Sequence, residues 1–223
     1  MFIHCPRYFI KAALPILFAL ALLSTGGDRV AAQTVPPLSD NDLVQALREG
    51  GFNIYFRHAA TDWSQSDRVG ARDDWLSCDS SRMRQLSAEG RQTSIDIGNA
   101  MRALELPIGK VMASPYCRTV ETAQLMQLGA VEATTDVMNL RVASYFGGRG
   151  AIISTAQMRL STRPAEGTNA VIVAHGNVAQ AATPVYPGEG EAVIFRPDGN
   201  GGFQYIARIA PRDWSRIIKQ VTQ

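Results

Sequence analysis

The stretch AVIVAHGN, from Ala170 to Asn177, decides the fold class of this sequence. Its first five residues are alanine, valine and isoleucine, and a short run of this kind is typical of a buried strand. Polar residues begin abruptly at His175, where such a strand would end. The stretch therefore predicts a buried strand with a polar loop at its carboxyl end.

Two more junctions of the same kind lie upstream. Phe52 to Phe56 is a short apolar and aromatic run that follows two glycines, and Arg57 and His58 come directly after it. Lys110 to Ala113 is predicted to be a further strand, which the pair Ser114-Pro115 ends. The sequence thus predicts three strands that each lead into a polar loop.

The segments around these strands have helical or hairpin patterns. Helices are predicted from Ser39 to Leu47, Ser87 to Leu104, Tyr116 to Gln127, Ala156 to Leu160 and Trp214 to Val221. The strands Ala192–Arg196 and Phe203–Ile209 are predicted to form a hairpin around the turn at residues 198–202, while residues 61–81 and 147–150 are predicted to be loops. Because strands and helices alternate, we expect an α/β three-layer sandwich with a mostly parallel central sheet.

Residues 1–32 have the pattern of a secretory signal peptide. Arg7 and Lys11 precede an apolar run, and Val30-Ala31-Ala32 supplies small residues where a signal peptidase would cleave. A membrane anchor is the alternative, but only the 16 residues from Ala12 to Gly27 are uncharged, and a span usually needs about 20 apolar residues. We therefore expect a single domain over residues 33–223, without a stable membrane anchor, in the periplasm or outside the cell.

The charge and the cysteines limit the function further. Residues 1–32 hold three basic residues and one acidic residue, and the whole chain has a net charge of +2, so the remaining chain is about neutral. A neutral chain lacks the basic surface that nucleic-acid binding needs, so we expect no nucleic-acid partner. In an exported chain the two remaining cysteines, Cys78 and Cys117, are expected to form a disulfide, although two separate buried thiols are the alternative.

Two histidines and two arginines occupy the three predicted strand ends. Ligands of open α/β sheets bind at the carboxyl ends of strands, so neighbouring strands would bring Arg57, His58, Arg118 and His175 together. Two guanidinium groups suit the oxygens of a phosphate, and Arg118 would add the first turn of a helix, which favours an anion. Flanking cations keep an imidazole neutral and therefore nucleophilic, while the second imidazole could stabilise charge on the transferred phosphoryl group.

Two histidines without a further ligand make a poor zinc site, so we expect no metal and no cofactor.

Three motifs in this order resemble those of the histidine phosphatase superfamily, which has the phosphoglycerate-mutase-like fold. They are FRHAAT at residues 56–61, ASPYCRTVETA at residues 113–123 and VIVAHGN at residues 171–177. The second motif is the most specific. The predicted signal, the CRT form of the second motif and the late segment GEGEAVIFRPDG are similar to an exported bacterial branch of small phosphatases.

The resemblance implies a role for each of the four residues. His58 would become phosphorylated, and Arg57, Arg118 and His175 would form the phosphate pocket around it. Thr61 is a further candidate donor to the phosphate.

Two positions depart from the family pattern. Ala59 replaces the glycine that usually follows the first histidine, and a methyl group there is tolerated if φ stays negative. The general acid is not evident, and Glu191, at the start of a predicted strand, is the favoured candidate. The alternatives are Glu189, Asp136 and Asp62.

We therefore expect a metal-independent phosphomonoester hydrolase that uses a phosphohistidine intermediate. Its partner would be an extracytoplasmic phosphorylated small molecule or an envelope glycan, and the oligomeric state is open. A phosphoglycerate-type mutase, a phosphohistidine-protein phosphatase and a non-catalytic binder of phosphorylated ligands are the alternatives. Four arginines lie between the first two motifs, and they either belong to a solvated surface or favour a second anionic group on the substrate: Arg68, Arg72, Arg82 and Arg84. In the loop at residues 61–81, Trp63 and Trp75 either form a lid or pack the loop down.

Overall fold

The structure is a computed structural model that describes Met1 and residues 38–221. Apart from Met1, the predicted signal peptide lies outside the described residues, so its cleavage stays a prediction. The elements below belong to the compact unit Pro36–Gln223. Among the described residues, no helix is both long and apolar enough to span a membrane.

A six-stranded sheet forms the centre of the fold. Its strands are β1 Asn53–Arg57, β2 Ile108–Ala113, β3 Val131–Ala133, β4 Asn169–Ala174, β5 Ala192–Pro197 and β6 Phe203–Ile209. The spatial order is β3-β2-β4-β1-β5-β6. The first four strands are parallel, while β5 pairs antiparallel with β1 and β6. The predicted fold class is confirmed, and so is the hairpin near the end of the chain.

Helices cover both faces of the sheet. They are α1 Asp40–Glu49, α2 Ala88–Ala103, α3 Cys117–Met126, α4 Arg149–Ser161, α5 Gly176–Ala182 and α6 Asp213–Val221. Side chains along β1 point alternately to the two faces of the sheet. Ile54 and Phe56 pack on the face that α1, α2, α3 and α6 cover. Tyr55 packs on the other face, which α4 and α5 cover. The result is the predicted three-layer sandwich.

Serine caps begin two of the predicted helices. The hydroxyl oxygen of Ser39 accepts a hydrogen bond from the backbone N–H of Asp42 at the start of α1, and Ser87 accepts one from Gly90 at the start of α2. Each side chain satisfies a backbone donor that has no partner within its own helix. These local contacts explain why the starts of both helices could be predicted from the sequence.

The prediction of a flexible loop over residues 147–150 is wrong in its second half. Gly147 and Gly148 have φ values of 78° and 92° and end a 3-10 segment, Leu140–Phe146. Arg149 and Gly150 already belong to α4. The helix starts early because the two left-handed glycines turn the chain, which periodicity alone does not reveal.

Strand β3 and helix α5, which are three and seven residues long, are too short to give a clear period and were not predicted.

The long loop between β1 and α2 is tied down at two points. A disulfide joins Cys78 of the loop to Cys117, the first residue of α3, so the predicted pairing is observed. Trp75 is 2% exposed and packs against Tyr145 and Phe146 at ring distances of 5.3 Å. In the chain-entropy model, closing a loop of this length stabilises the fold by about 4 kcal/mol. The loop is thereby held beside Arg118.

Candidate active site

The three predicted strand ends meet at one edge of the sheet. Strand β4 lies between β2 and β1, so the loops that follow these strands are neighbours. The ring centres of His58 and His175 are 5.8 Å apart, and both rings are almost completely buried. Arg57 and Arg118 are close enough to act electrostatically on both histidines. The structure therefore brings together the four residues that the sequence selected.

The hydrogen bonds of His58 define its tautomer. Its Nδ1 lies 2.9 Å from the carbonyl oxygen of Ala59, and because a carbonyl can only accept, Nδ1 carries the proton. Nε2 then keeps its lone pair. Burial, followed by the charge of Arg118, holds the pKa of His58 well below its usual value, although the bond to Ala59 opposes the shift. His58 is thus a neutral imidazole with one nitrogen available for attack.

Ala59 fits the position where the family pattern has glycine. Its side chain is fully buried, and its φ is not among the positive values of the described non-glycine residues. Its backbone N–H donates to the hydroxyl of Thr122 at 3.2 Å, and that hydroxyl in turn donates to the carbonyl of Arg118 at 2.7 Å. Thr122 therefore connects the His58 loop to helix α3.

His175 is oriented by two side chains from other strands. The Tyr55 hydroxyl donates to the backbone carbonyl of His175 at 2.8 Å and accepts from its backbone N–H at 3.2 Å. The ring Nε2 lies 2.9 Å from the hydroxyl of Ser114, and the ring of Tyr116 is 4.7 Å away. Burial, followed by the charge of Arg118, lowers the pKa of His175. Ser114 therefore orients this ring, a role that the sequence did not reveal.

Arg57 approaches a loop that follows α5. Its guanidinium lies 3.4 Å from a carboxylate oxygen of Glu189, and the hydroxyl of Thr61 donates to the same oxygen at 2.9 Å. Gly176 permits this approach, because a Cβ there would lie 2.8 Å from the ring of Tyr186 and 3.2 Å from Cδ of Arg57. Thr61 and Glu189 are thus both neighbours of the pocket.

Arg118 is paired with a carboxylate of the long loop. Its two terminal nitrogens donate to the two oxygens of Asp67 at 2.9 and 3.1 Å, and both side chains are at most 5% exposed. One terminal nitrogen also donates to the carbonyl of Arg84 at 3.2 Å. Sequence reasoning missed Asp67, because nothing local to that position marks it as the partner of a residue on helix α3.

Several polar atoms around the histidines are buried and have no hydrogen-bond partner in the protein. Seven such side-chain atoms occur among the described residues, and all but the indole nitrogen of Trp214 belong to this region. They are Nε of Arg57, Arg84 and Arg118, Nδ1 of His175, the Tyr116 hydroxyl and Oδ1 of Asn177. Leaving such an atom unpaired costs about 1–3 kcal/mol. Four of the six are nitrogens of arginine or histidine, and these four nitrogens are suited to binding an anion.

The four candidate acids lie in different surroundings. Glu191 accepts two hydrogen bonds of 2.5 Å from Arg208 and one of 2.7 Å from the backbone N–H of Gly188. Although burial acts in the opposite direction, these contacts lower the pKa of Glu191. Asp136 pairs with Arg159, and Asp62 accepts hydrogen bonds from Ser64 and Gln65 within its own loop. Of the four carboxylates, that of Glu189 is the one in contact with a pocket arginine.

Part of the chain matches the model of a known protein family. Residues 54–141 match the model of the histidine phosphatase superfamily, branch 1. The matched region contains Arg57, His58 and Arg118, and the fold places His175 beside them. Over these residues the chain is therefore similar to the histidine phosphatase superfamily, as its motifs predict.

Solved structures with a similar chain include several phosphatases. The protein histidine phosphatase SixA, complexed with tungstate, has 13% identity and a TM-score of 0.48, over 73% of this chain and 98% of that chain. Phosphoserine phosphatase from Entamoeba histolytica, in complex with 3-phosphoglyceric acid, has 14% identity and a TM-score of 0.48, over 71% and 96%. Comparison with curated proteins gives no significant match.

Proposed function

We propose that this protein is a phosphomonoester hydrolase that transfers a phosphoryl group to His58 and then to water, without a metal ion. The observation that carries the proposal is the group of buried nitrogens without protein partners on Arg57, Arg118 and His175, next to a neutral His58. A phosphoryl group supplies anionic oxygens for these donors and an electrophilic phosphorus for the imidazole. The match of residues 54–141 to the histidine phosphatase superfamily supports phosphatase activity.

In the first step Nε2 of His58 attacks phosphorus, and the bond from phosphorus to the leaving oxygen breaks. Arg57, Arg118 and His175 hold the three equatorial oxygens and stabilise their charge. The leaving oxygen takes a proton from a general acid. In the second step water attacks phosphorus, the bond to Nε2 breaks, and the acid residue, now a base, takes a proton from the water. Inorganic phosphate leaves and His58 is regenerated.

Glu189 is the better candidate for the acid than Glu191. The bidentate contact with Arg208 stabilises Glu191 as an anion, whereas an acid must carry a proton at the start of the step. Glu189 also pairs with an arginine, but through a single contact of 3.4 Å with Arg57, and Arg57 and its other partner Thr61 both lie next to the nucleophile. We therefore assign proton transfer to Glu189 and a structural role to Glu191.

Replacement of the two glutamates one at a time separates these roles. Glu189→Gln should lower kcat for an alkyl phosphate by about 100-fold, because removal of a general acid costs that much or more. The loss should be much smaller for p-nitrophenyl phosphate, whose leaving group needs no proton. The matched variant Glu191→Gln should keep the wild-type difference between the two substrates. If Glu191→Gln shows the larger dependence on the leaving group, the assignment must be reversed.

The site of action proposed is outside the cytoplasm, on a phosphorylated small molecule or an envelope glycan. The signal-like pattern of residues 1–32 supports this proposal. The disulfide between Cys78 and Cys117 also supports it, because disulfides persist in oxidising compartments.

Turnover and trapping of the intermediate test the proposed function. The protein from residue 33 onward, with its disulfide intact, should hydrolyse p-nitrophenyl phosphate at an unchanged rate in EDTA. A brief reaction with a substrate labelled in its phosphate should leave the label on His58, in a bond that acid breaks and base does not. Binding of phosphate without any hydrolysis would instead support the non-catalytic alternative, and loss of turnover in EDTA would contradict the metal-free mechanism.

A further inference from the structure

Arg84 lies next to the pocket but is not one of its four predicted residues. Its guanidinium carbon is 3.9 Å from the ring centre of Trp63, a distance typical of a cation–π contact. Its backbone is also fixed, since its N–H donates to Asp67 at 3.1 Å and its carbonyl accepts from Arg118 at 3.2 Å. Arg84 is therefore held in place beside Arg118.

The charge of Arg84 has no direct counter-ion within the described part of the chain. No carboxylate lies within ion-pair distance of it, whereas Arg57 pairs with Glu189 and Arg118 with Asp67. Its Nε is buried without a partner. Burial, followed by the charge of Arg118, lowers the pKa of Arg84, although the more distant charges of Asp67 and Glu189 oppose the shift. A half-buried guanidinium beside another cation is costly unless an anion compensates it.

A cleft lies beside Trp63. It has a volume of about 790 Å³, and its lining includes Thr61, Trp63 and Glu189 but neither Arg84 nor the four pocket residues. Thr61 and Glu189 contact each other next to Arg57, so one end of the cleft neighbours the phosphate pocket. Trp63 is 67% exposed, so its indole ring offers apolar surface to a ligand in the cleft that it lines. The cleft gives the part of the substrate that carries the phosphate a place to lie.

We propose that Arg84, held against Trp63 and next to Arg118, binds a second anionic group of the substrate where Trp63 borders this cleft, beside the phosphoryl group that is transferred. The group is a carboxylate or a second phosphate, because both match the donor fork of a guanidinium. This inference rests on the proposed function, since it assigns the substrate class of the same site. The substrate would therefore carry at least two acidic groups.

Three aryl phosphates test the proposal. They are phenyl phosphate, 4-carboxyphenyl phosphate and 1,4-phenylene bisphosphate, which differ in the second anion. The wild-type protein should show a higher kcat/KM for one or both of the doubly anionic compounds than for phenyl phosphate, and the better of the two identifies the group. Arg84→Gln should lower this ratio by about 10-fold, the usual effect of losing a charged hydrogen bond. Because the ratio compares two substrates of one variant, any general effect on His58 cancels.

Arg72→Gln is the matched control, since Arg72 is an exposed arginine of the same loop, and it should leave the ratio unchanged. The subsite would be overturned if kcat/KM in the wild-type protein is the same for the doubly anionic compounds as for phenyl phosphate. It would also be overturned if Arg84→Gln keeps the wild-type preference. Calorimetric binding of the three compounds to His58→Ala separates this failure from failure of the proposed function. If the doubly anionic compounds bind more tightly but the wild-type protein hydrolyses none of the three, the subsite stands and the proposed hydrolase function fails. If the wild-type protein hydrolyses all three without any preference in binding, the hydrolase function stands and the subsite fails.

Discussion

His58→Ala should lose hydrolysis of aryl phosphates by on the order of 10⁴-fold or more, because the variant has no nucleophile to accept the phosphoryl group. The protein should still fold, because His58 makes no ion pair and its ring accounts for one hydrogen bond, to the adjacent residue Ala59. Steady-state kinetics with p-nitrophenyl phosphate, together with the thermal midpoint, measure both effects. No labelled intermediate should form.

The control for this variant is Tyr116→Phe. Tyr116 is a buried neighbour of the histidines whose hydroxyl has no protein partner. Its replacement removes one polar atom from the same region and leaves the nucleophile in place, so the labelled intermediate should still form. Wild-type activity in His58→Ala would refute the phosphohistidine mechanism.

Arg118→Met should damage both catalysis and stability. It removes a donor to the transferred group, which typically costs about 10²- to 10³-fold in kcat. It also leaves the buried carboxylate of Asp67 without its partner, and breaking such a pair costs about 3–5 kcal/mol in the free energy of unfolding. Chemical denaturation and kinetics on the same samples measure the two losses.

The double variant Asp67→Asn with Arg118→Met separates the two effects. Removal of the unpaired charge should restore most of the stability, while kcat stays low because the guanidinium is still missing. Arg82→Met is the control for the loop: Arg82 is largely exposed and pairs with Asp74, so its loss should cost about 1 kcal/mol or less. Recovery of activity in the double variant would show that Arg118 acts only by holding Asp67.

The meeting of the four candidate residues was predictable because they follow recognisable strands. Arg57, His58 and His175 come directly after short apolar runs, and Arg118 lies in the first turn of the helix that follows a strand and a serine-proline break. In a parallel sheet the carboxyl ends of neighbouring strands lie at one edge, so chain order alone predicts that these residues meet. The two serine caps were readable for a similar reason, because each cap bonds within its own first turn.

The choice between the glutamates depended on distant contacts. Glu189 and Glu191 are two residues apart, and the sequence favours the one at the strand start. The structure pairs Glu191 with Arg208 on the adjacent strand β6 and turns Glu189 toward Arg57. The pairing follows from the register of the β5–β6 hairpin, which hydrophobic patterning does not define for single charged side chains.

What the sequence by itself determined is the α/β fold, the similarity to the histidine phosphatase superfamily and the four residues that meet in one pocket, because these depend on local periodicity and on order along the chain. The tertiary structure alone decided the surroundings of that pocket. Asp67 meets Arg118 across 51 residues of sequence, and Arg84 meets Trp63 within a polar loop that has no period. The loop takes its shape from the disulfide and from the packing of Trp75, so the positions of its charges follow from contacts between distant residues.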